Sequence, residues 1–172
     1  MDCDAMTRAL RRIAHEILEH NPDPSVFALI GIPSRGVELA RRLADLIGVT
    51  EGRTPERGVI DVSMHRDDLS LRHTLTRVQE TQLPLHLEKF TIILVDDVIF
   101  TGRTCRAAMD AIGSFGRPAR IQFAALLDRG HRELPIRPDY VGKNLPTSQG
   151  ERVKVRLRSI DAEPDSVRLE RP

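Results

Sequence analysis

The sequence predicts an α/β fold built on a mostly parallel sheet, and three observations carry that prediction. Two continuous apolar runs, Phe27-Ala28-Leu29-Ile30 and Ile92-Ile93-Leu94-Val95, are what strands buried on both faces require. Each run leads through a short glycine-bearing turn into a helical pattern. Apolar stretches and helical stretches then alternate along 172 residues, long enough for one domain with a real core.

The elements follow in order. Residues 5–19 read as a helix, with Leu10, Ile13, Ala14, Ile17 and Leu18 as its apolar stripe. Arg8, Arg11, Arg12 and His15 gather on another face, which is either a solvated side or an anion contact. Asn21-Pro22-Asp23-Pro24 is a turn. A strand over residues 26–32 ends in Pro33-Ser34-Arg35-Gly36, and a helix is expected over about 38–47. Polar residues 51–58 connect to a strand expected over 59–64. Residues 69–87 are expected to form a mobile loop or hairpin of the kind that covers an active site.

The central stretch, residues 90–110, reads FTIILVDDVIFTGRTCRAAMD. Its helix ends at Gly116-Arg117-Pro118. Residues 121–127 make a further buried strand, 139–142 a short extended piece, and 143–147 a turn away from it. Residues 153–158 alternate strictly, predicting a strand with Val153, Val155 and Leu157 inward and Lys154, Arg156 and Arg158 as an outward basic stripe. A last short strand is expected over 167–169.

Composition excludes several classes. A net charge of +1 gives no bulk attraction to nucleic acid, so any such site is a local patch. With no Trp, one Tyr and five Phe, the chain has few platforms on which single-stranded bases could stack. Cys3 and Cys105 lie too far apart in sequence for metal-ligand spacing and read as reduced cytosolic thiols. No apolar run approaches membrane length and the N-terminus lacks a signal-peptide core, so a cytoplasmic protein without membrane contact is expected.

The chemistry concentrates at two strand ends. Asp96 and Asp97 close the central apolar run, and Thr101-Gly102-Arg103-Thr104 opens the helix after it. A helix N-terminus attracts phosphate, and a carboxylate pair attracts sugar hydroxyls or Mg²⁺. A ligand that wants both is a ribose carrying a phosphate. Gly36 permits close backbone approach and Arg35 supplies a fixed positive charge. In a parallel sheet, ligands sit beyond the carboxyl ends of the strands, so both turns can line one crevice.

IILVDDVIFTGRT resembles the phosphoribosyl pyrophosphate (PRPP) motif of type I phosphoribosyltransferases. RRIAHEI, HRDDLS, FGRPARIQ and LLDRGHRELPIRPDYVGKNLPTS narrow the resemblance to the PyrR family, whose members are bifunctional pyrimidine operon regulators and uracil phosphoribosyltransferases. The resemblance implies the type I phosphoribosyltransferase fold, with a hood from about residues 128–150 and the C-terminal segment. It implies uracil plus PRPP giving UMP plus pyrophosphate, with Mg²⁺. Asp96 and Asp97 then match the pair that binds the ribose hydroxyls. Val98, Phe100, Thr101, Gly102, Arg103 and Thr104 match the 5′-phosphate cradle and its approach. Ser34, Arg35 and Gly36 match the pyrophosphate turn, where related enzymes hold a non-proline cis peptide, here expected at Ser34–Arg35. Arg66 matches a residue near the loop that closes over pyrophosphate, so Asp96, Asp97, Arg66 and Arg35 form the expected catalytic set.

Purine enzymes of this class carry an acid where this chain has Phe100, which tilts the base toward uracil. Uracil is expected against Phe100 and Ile136 and the backbone at Tyr140 and Val141. The family also implies binding of pyr leader mRNA when UMP or UTP fills the nucleotide site. Arg8, Arg11, Arg12 and His15 are expected to join Arg132, Arg137 and Lys143, with Arg129, on one RNA surface. A homodimer or homotetramer would make that surface continuous. The alternative is a uracil phosphoribosyltransferase of pyrimidine salvage with no RNA role. Pro33 departs from the family's usual basic or polar residue and removes one N–H that could meet pyrophosphate.

Overall fold

A computed structural model of the protein describes residues 1–65 and 80–171. Five parallel strands form the main sheet: β1 Phe27–Gly31, β2 Glu56–Val59, β3 Thr91–Ile99, β4 Arg120–Asp128 and β5 Tyr140–Asn144, in the spatial order β2-β1-β3-β4-β5. Every residue of β1 is buried, as its unbroken apolar run requires. Helices α1 (Cys3–His20), α2 (Arg35–Glu51) and α3 (Arg103–Gly113) cover the two faces. On one face α1 and α2 pack Ile13, Ile17, Leu39, Leu43 and Ile47 against Phe27, Leu29 and Ile93. On the other, α3 packs Ala108, Ala111 and Ile112 against Ala28, Ile92 and Leu94.

A second, two-stranded antiparallel sheet joins β6 (Arg152–Arg156) to β7 (Ser166–Glu170) through the one-turn helix α4 (Arg158–Asp161). Its apolar residues Val155, Leu157 and Val167 complete the α1/α2 core. The alternation read in residues 153–158 therefore holds at its apolar positions. The outward basic stripe does not form: Lys154 pairs with Glu170 at 3.1 Å and Arg156 with Asp161 at 2.9 Å, and Arg158 opens α4 instead.

Three further expectations are corrected. The strand expected over 59–64 lies earlier, at β2, and Ser63–His65 is a 3₁₀ turn. The reason is that β2 is an edge strand with exposed Glu56 and Arg57, so it lacks an apolar signature, while Ile60 and Val62 are buried after it has ended. Lys143 and Asn144 do not turn away but finish β5, paired with Leu127 and Asp128. Helix α2 begins at Arg35, three residues before the expected start. Most of the loop expected over 69–87 lies outside the described residues. Of its described end, Gln82 bridges Val59, and Leu87 is buried against the α3-side core.

The strand order reverses between β1 and β3: from β1 the chain moves to β2 on one side and then to β3 on the other. The crevice outside the carboxyl ends of two such strands is where open α/β sheets receive ligands. Both glycine turns seen in the sequence occupy it.

Candidate functional site

The first wall of the crevice is the turn after β1. Its Pro33–Ser34 peptide is cis. The cis bond was expected one residue later, at Ser34–Arg35. The structure thus puts the cis bond one peptide earlier, and Arg35 is the first residue of α2. Ile32 donates its N–H to the Val95 carbonyl at 2.9 Å, which fastens the turn to β3. Gly36 is required by space: a Cβ there would stand 2.2 Å from the Val95 carbonyl oxygen.

The second wall is the turn after β3. Gly102 caps α3 with φ +94°, a left-handed conformation that side chains disfavour. Its carbonyl accepts the Arg106 N–H at 3.0 Å and starts the helix. Helices α2 and α3 both begin without a side-chain cap from their N-cap residues, Ser34 and Gly102. Helix α1, away from the crevice, is capped by Asp2, whose carboxylate accepts the Ala5 N–H at 2.8 Å. At α3 the Thr101 hydroxyl accepts the Arg103 N–H at 3.4 Å. Both helices at the crevice start there, and helix N-termini receive anions.

The acidic pair lies between the walls. Asp96 accepts the N–H of Asp97 at 2.9 Å, and Asp97 accepts that of Val98 at 3.0 Å, so each carboxylate is fixed against the following peptide. Burial pushes the Asp97 carboxyl above the usual range, against the pull of the Arg35 charge and of its hydrogen bonds. Arg35 thereby links the first turn electrostatically to the acidic pair.

A pocket of about 390 Å³ opens beside them. It gathers Asp96, Val98, Phe100, Thr101, Gly102, Arg103 and Thr104, seven of the residues expected to hold the ribose phosphate and the base. Its size suits a nucleotide-sized ligand. The chain after β4 builds the rim. Glu133 and Leu134 both donate N–H groups to the Thr101 carbonyl, at 3.0 and 3.1 Å. Arg132 donates to the Phe100 and Ile136 carbonyls, each at 2.9 Å, and pairs with Asp128. Cys105, also lining the pocket, is 3% exposed, and burial together with the nearby Asp96 and Asp139 charges pushes its thiol up to about 12.

Arg129 was expected at an RNA surface, and the structure places it inside. It is 8% exposed, its guanidinium carbon stands 4.1 Å from the centre of the Phe100 ring, and it donates to the Ser148 and Glu151 carbonyls at 3.1 and 2.8 Å. It therefore backs Phe100 with a cation–π contact. The His131 ring meets Phe100 edge-on at 5.9 Å. The Asp-Arg-Gly-His-Arg-Glu cluster directly after a buried strand was the available signal for this role.

Tyr140 and Val141 are not among the residues that line the pocket. Strand β5 runs parallel to β4 with Val141 across from Ala125, itself across from Asp96, so this backbone lies level with the acidic pair, two strands away. The Tyr140 ring is 2% exposed, and its hydroxyl donates to Gln122 and accepts from Asn21, each at 3.1 Å. Ile136 is half-buried against Gly102. Ser34 and Arg35 flank the crevice at the first turn, and Arg66 lies outside the described residues.

Of the basic residues expected to meet RNA, Arg8, Arg11, Arg12 and His15 are exposed along one face of α1. Arg12 donates to the Val141 carbonyl at 3.2 Å and to that of Gly142, which lays this face along edge strand β5 beside exposed Lys143. Arg137 is exposed, whereas Arg132 is half-buried and committed to the pocket rim. No described helix is long and apolar enough to cross a membrane.

Comparison with known proteins bears on the family and the fold. The Phosphoribosyl transferase domain family matches residues 2–159. The chain is 56% identical over 161 residues to the bifunctional protein PyrR of Chloroflexus aurantiacus, covering 94% of this chain and 88% of that one. It is 53% identical to the protein of the same name from Pelotomaculum thermopropionicum, covering 99% and 94%. Among solved structures it superposes on the hypoxanthine phosphoribosyltransferase of Trypanosoma cruzi, in complex with the product IMP, with a TM-score of 0.73 at 16% identity, covering 100% and 89%. At that identity the superposition speaks for the fold alone.

Proposed function

The chain belongs to the bifunctional PyrR family of phosphoribosyl transferases, and from that premise we propose that it transfers the phosphoribosyl group of PRPP to uracil and binds pyr leader mRNA under control of UMP or UTP. The observation that carries the enzymatic half is the meeting, at one strand-order reversal, of two helix N-termini, a carboxylate pair and an aromatic-walled pocket.

Each part has a task. The α3 N-terminus with Thr101, Gly102, Arg103 and Thr104 holds the 5′-phosphate. Asp96 and Asp97 accept hydrogen bonds from the ribose 2′- and 3′-hydroxyls. The Ser34-Arg35-Gly36 turn and the α2 N-terminus hold the pyrophosphate, and Arg66 matches a family residue near the loop that closes over it. As the bond from the anomeric carbon to pyrophosphate lengthens, positive charge develops on the ribose and negative charge on the leaving group. Arg35 and the N–H groups of the turn stabilise the latter. The uracil nitrogen then bonds to the anomeric carbon. Phe100, stiffened by Arg129, offers the base a flat apolar face and no carboxylate.

Among the described residues no three carboxylates, imidazoles or thiols gather as a metal cage. This donor set fits Mg²⁺ held chiefly by substrate diphosphate oxygens, with Asp96 and Asp97 as its protein anchors. Bound there, the ion offsets charge on the leaving pyrophosphate.

The regulatory half is supported by the α1 face of Arg8, Arg11 and His15 beside Lys143 on β5. A homodimer or homotetramer would join two such faces into one surface, in the cytoplasm where leader mRNA is made. The hood over the site is the 128–150 segment with the C-terminal hairpin.

Steady-state UMP formation from uracil and PRPP tests the enzyme, and activity left undiminished by Asp97→Asn would overturn the site. For the regulator, the test is pyr leader RNA binding that UMP strengthens and salt weakens. Replacing Arg8, Arg11 and His15 together, which spares the strand-bound Arg12, is expected to flatten the salt dependence by about 0.7 in log–log slope per cation lost. RNA binding untouched by that change would show that the α1 face is not the RNA surface, and normal UMP formation without any UMP-strengthened binding of leader RNA would leave a salvage enzyme without an RNA role.

A further inference from the structure

Helix α2 presents Arg35, Glu38 and Arg42 to the C-terminal hairpin. Arg35 pairs with Asp161 at 2.7 Å, across 126 residues of chain. Glu38 bonds Ser159, and Arg42 pairs with Asp165. Among these only Arg35 belongs to the turn that closes β1.

Asp161 is built to be a fixed acceptor. Its side chain is 7% exposed. One carboxylate oxygen takes both Arg35 and, at 2.9 Å, Arg156; the other takes the Leu157 N–H at 2.8 Å. Leu157 is wholly buried in the α1/α2 core, so the carboxylate is tied to the body of the protein. Arg35 is held by its Nη2, while its Nε is sealed from water and is the one buried side-chain nitrogen without a hydrogen-bond partner among the described residues. Arg35 also lies near enough to Asp97 to draw on its charge. The residue thus stands between the hairpin, the first turn and the acidic pair, secured at one end only.

We propose that Asp161 is a positioning residue for the pyrophosphate turn, holding Arg35 and through it the Ser34–Gly36 backbone in the pose that receives the diphosphate of PRPP. A turn anchored this way meets its ligand without first being ordered, so less binding free energy is lost. Only the diphosphate end of a ligand feels the anchor. UMP, which carries the ribose, 5′-phosphate and base but no diphosphate, does not. This inference rests on reading Ser34-Arg35-Gly36 as the pyrophosphate turn.

The test is a KM split on the full chain. Asp161→Asn is expected to raise KM for PRPP about ten-fold, the scale of one hydrogen bond to a charged group, and to leave KM for uracil and the Kd for UMP within about two-fold. Asp161→Glu, which keeps the charge, recovers part of the loss. In an Arg35→Gln background Asp161→Asn adds nothing further, because the two act as one unit. If Asp161→Asn fails to fold, UMP binding is lost outright; Asp161→Glu is then the variant read, with the same split at smaller amplitude. An unchanged KM for PRPP overturns the proposal, as does an equal loss of UMP affinity, which would mark Asp161 as general support for the fold. Failure of the underlying reading looks different: Arg35→Gln itself would leave KM for PRPP unchanged.

Discussion

At the turn after β1 the glycine is Gly36, where a Cβ would lie 2.2 Å from a β3 carbonyl oxygen; at the turn after β3 it is Gly102, where a Cβ would make ordinary contacts of 3.4 Å with Leu134 and Ile136 but at a φ of +94°. One glycine answers to space and the other to backbone conformation. The anchors differ as well. The first turn is tied by side-chain charge to a hairpin more than 100 residues away, Arg35 to Asp161. The second is tied mainly by backbone N–H groups, from Glu133 and Leu134 to Thr101, in the segment that follows the neighbouring strand. A turn at a strand end can thus be made rigid by main-chain bonds or by an ion pair at long range, and the second route leaves it open to adjustment from outside the turn.

The largest effect expected is at the crowded glycine. Gly36→Ala should abolish UMP formation and destabilise the fold by about 2–3 kcal/mol, since the obstacle is backbone that cannot turn aside; this is roughly 4–12 °C in Tm. A variant that keeps both activity and Tm would show that the turn yields where its neighbour was taken to be fixed.

Next comes the acid between the turns. Asp97→Asn should lower kcat/KM by about 10- to 100-fold, the range for a hydrogen bond to a charged group. It should also raise Tm at pH 7. Burial raises this carboxyl's pKa, so its ionised form costs stability at neutral pH, and the cost is relieved as pH falls through the raised value. Loss of activity with a fall in Tm would mean that the Arg35 attraction outweighs burial.

Gly102→Ala should be milder, about 1–2 kcal/mol for a side chain forced to positive φ, read as a Tm drop of roughly 2–8 °C. If it costs as much as Gly36→Ala, the distinction between space and conformation falls.

The smallest effect concerns the ion pairs around the first turn. Glu38 is held down from 4.5 to about 2, by Arg41 first and then by Arg42 and Ser159, against the cost of leaving water. Its stabilisation is full above pH 4.5 and fades as pH falls toward 2, so Glu38→Gln should flatten the Tm–pH curve within that window alone. A flattening that extends to neutral pH would point to other groups.

Much of this arrangement was legible in the sequence, for local reasons. The runs before Pro33 and before Asp96 read as buried strands because a parallel sheet leaves no polar face to interrupt them. The acidic pair and the Thr-Gly-Arg-Thr turn read as a site because strand, turn and helix start are adjacent in the chain. Where the reading failed, the missing information was not local. Strand β2 is an exposed edge, so its polar residues looked like a connection. Tyr140 sits in a promising motif, but its ring is enclosed in a buried network with Asn21 and Gln122 that no local pattern announces. Arg129 looked like a surface charge until Phe100 and the carbonyls of Ser148 and Glu151 enclosed it. Nothing near Asp161 in sequence announces a partner 126 residues earlier.

The two cysteines give the chain a practical asymmetry. Cys105 is sealed beside the pocket with its thiol held near 12, so at neutral pH it presents almost no thiolate to an electrophile. Cys3 is exposed in the first turn of α1. A maleimide dye added to the native chain should therefore attach once, at Cys3, a little over one helical turn before Arg8. The unmodified sequence already provides a single-site fluorescent reporter for whatever approaches the basic face of that helix, with the pocket beside Asp96 left chemically untouched.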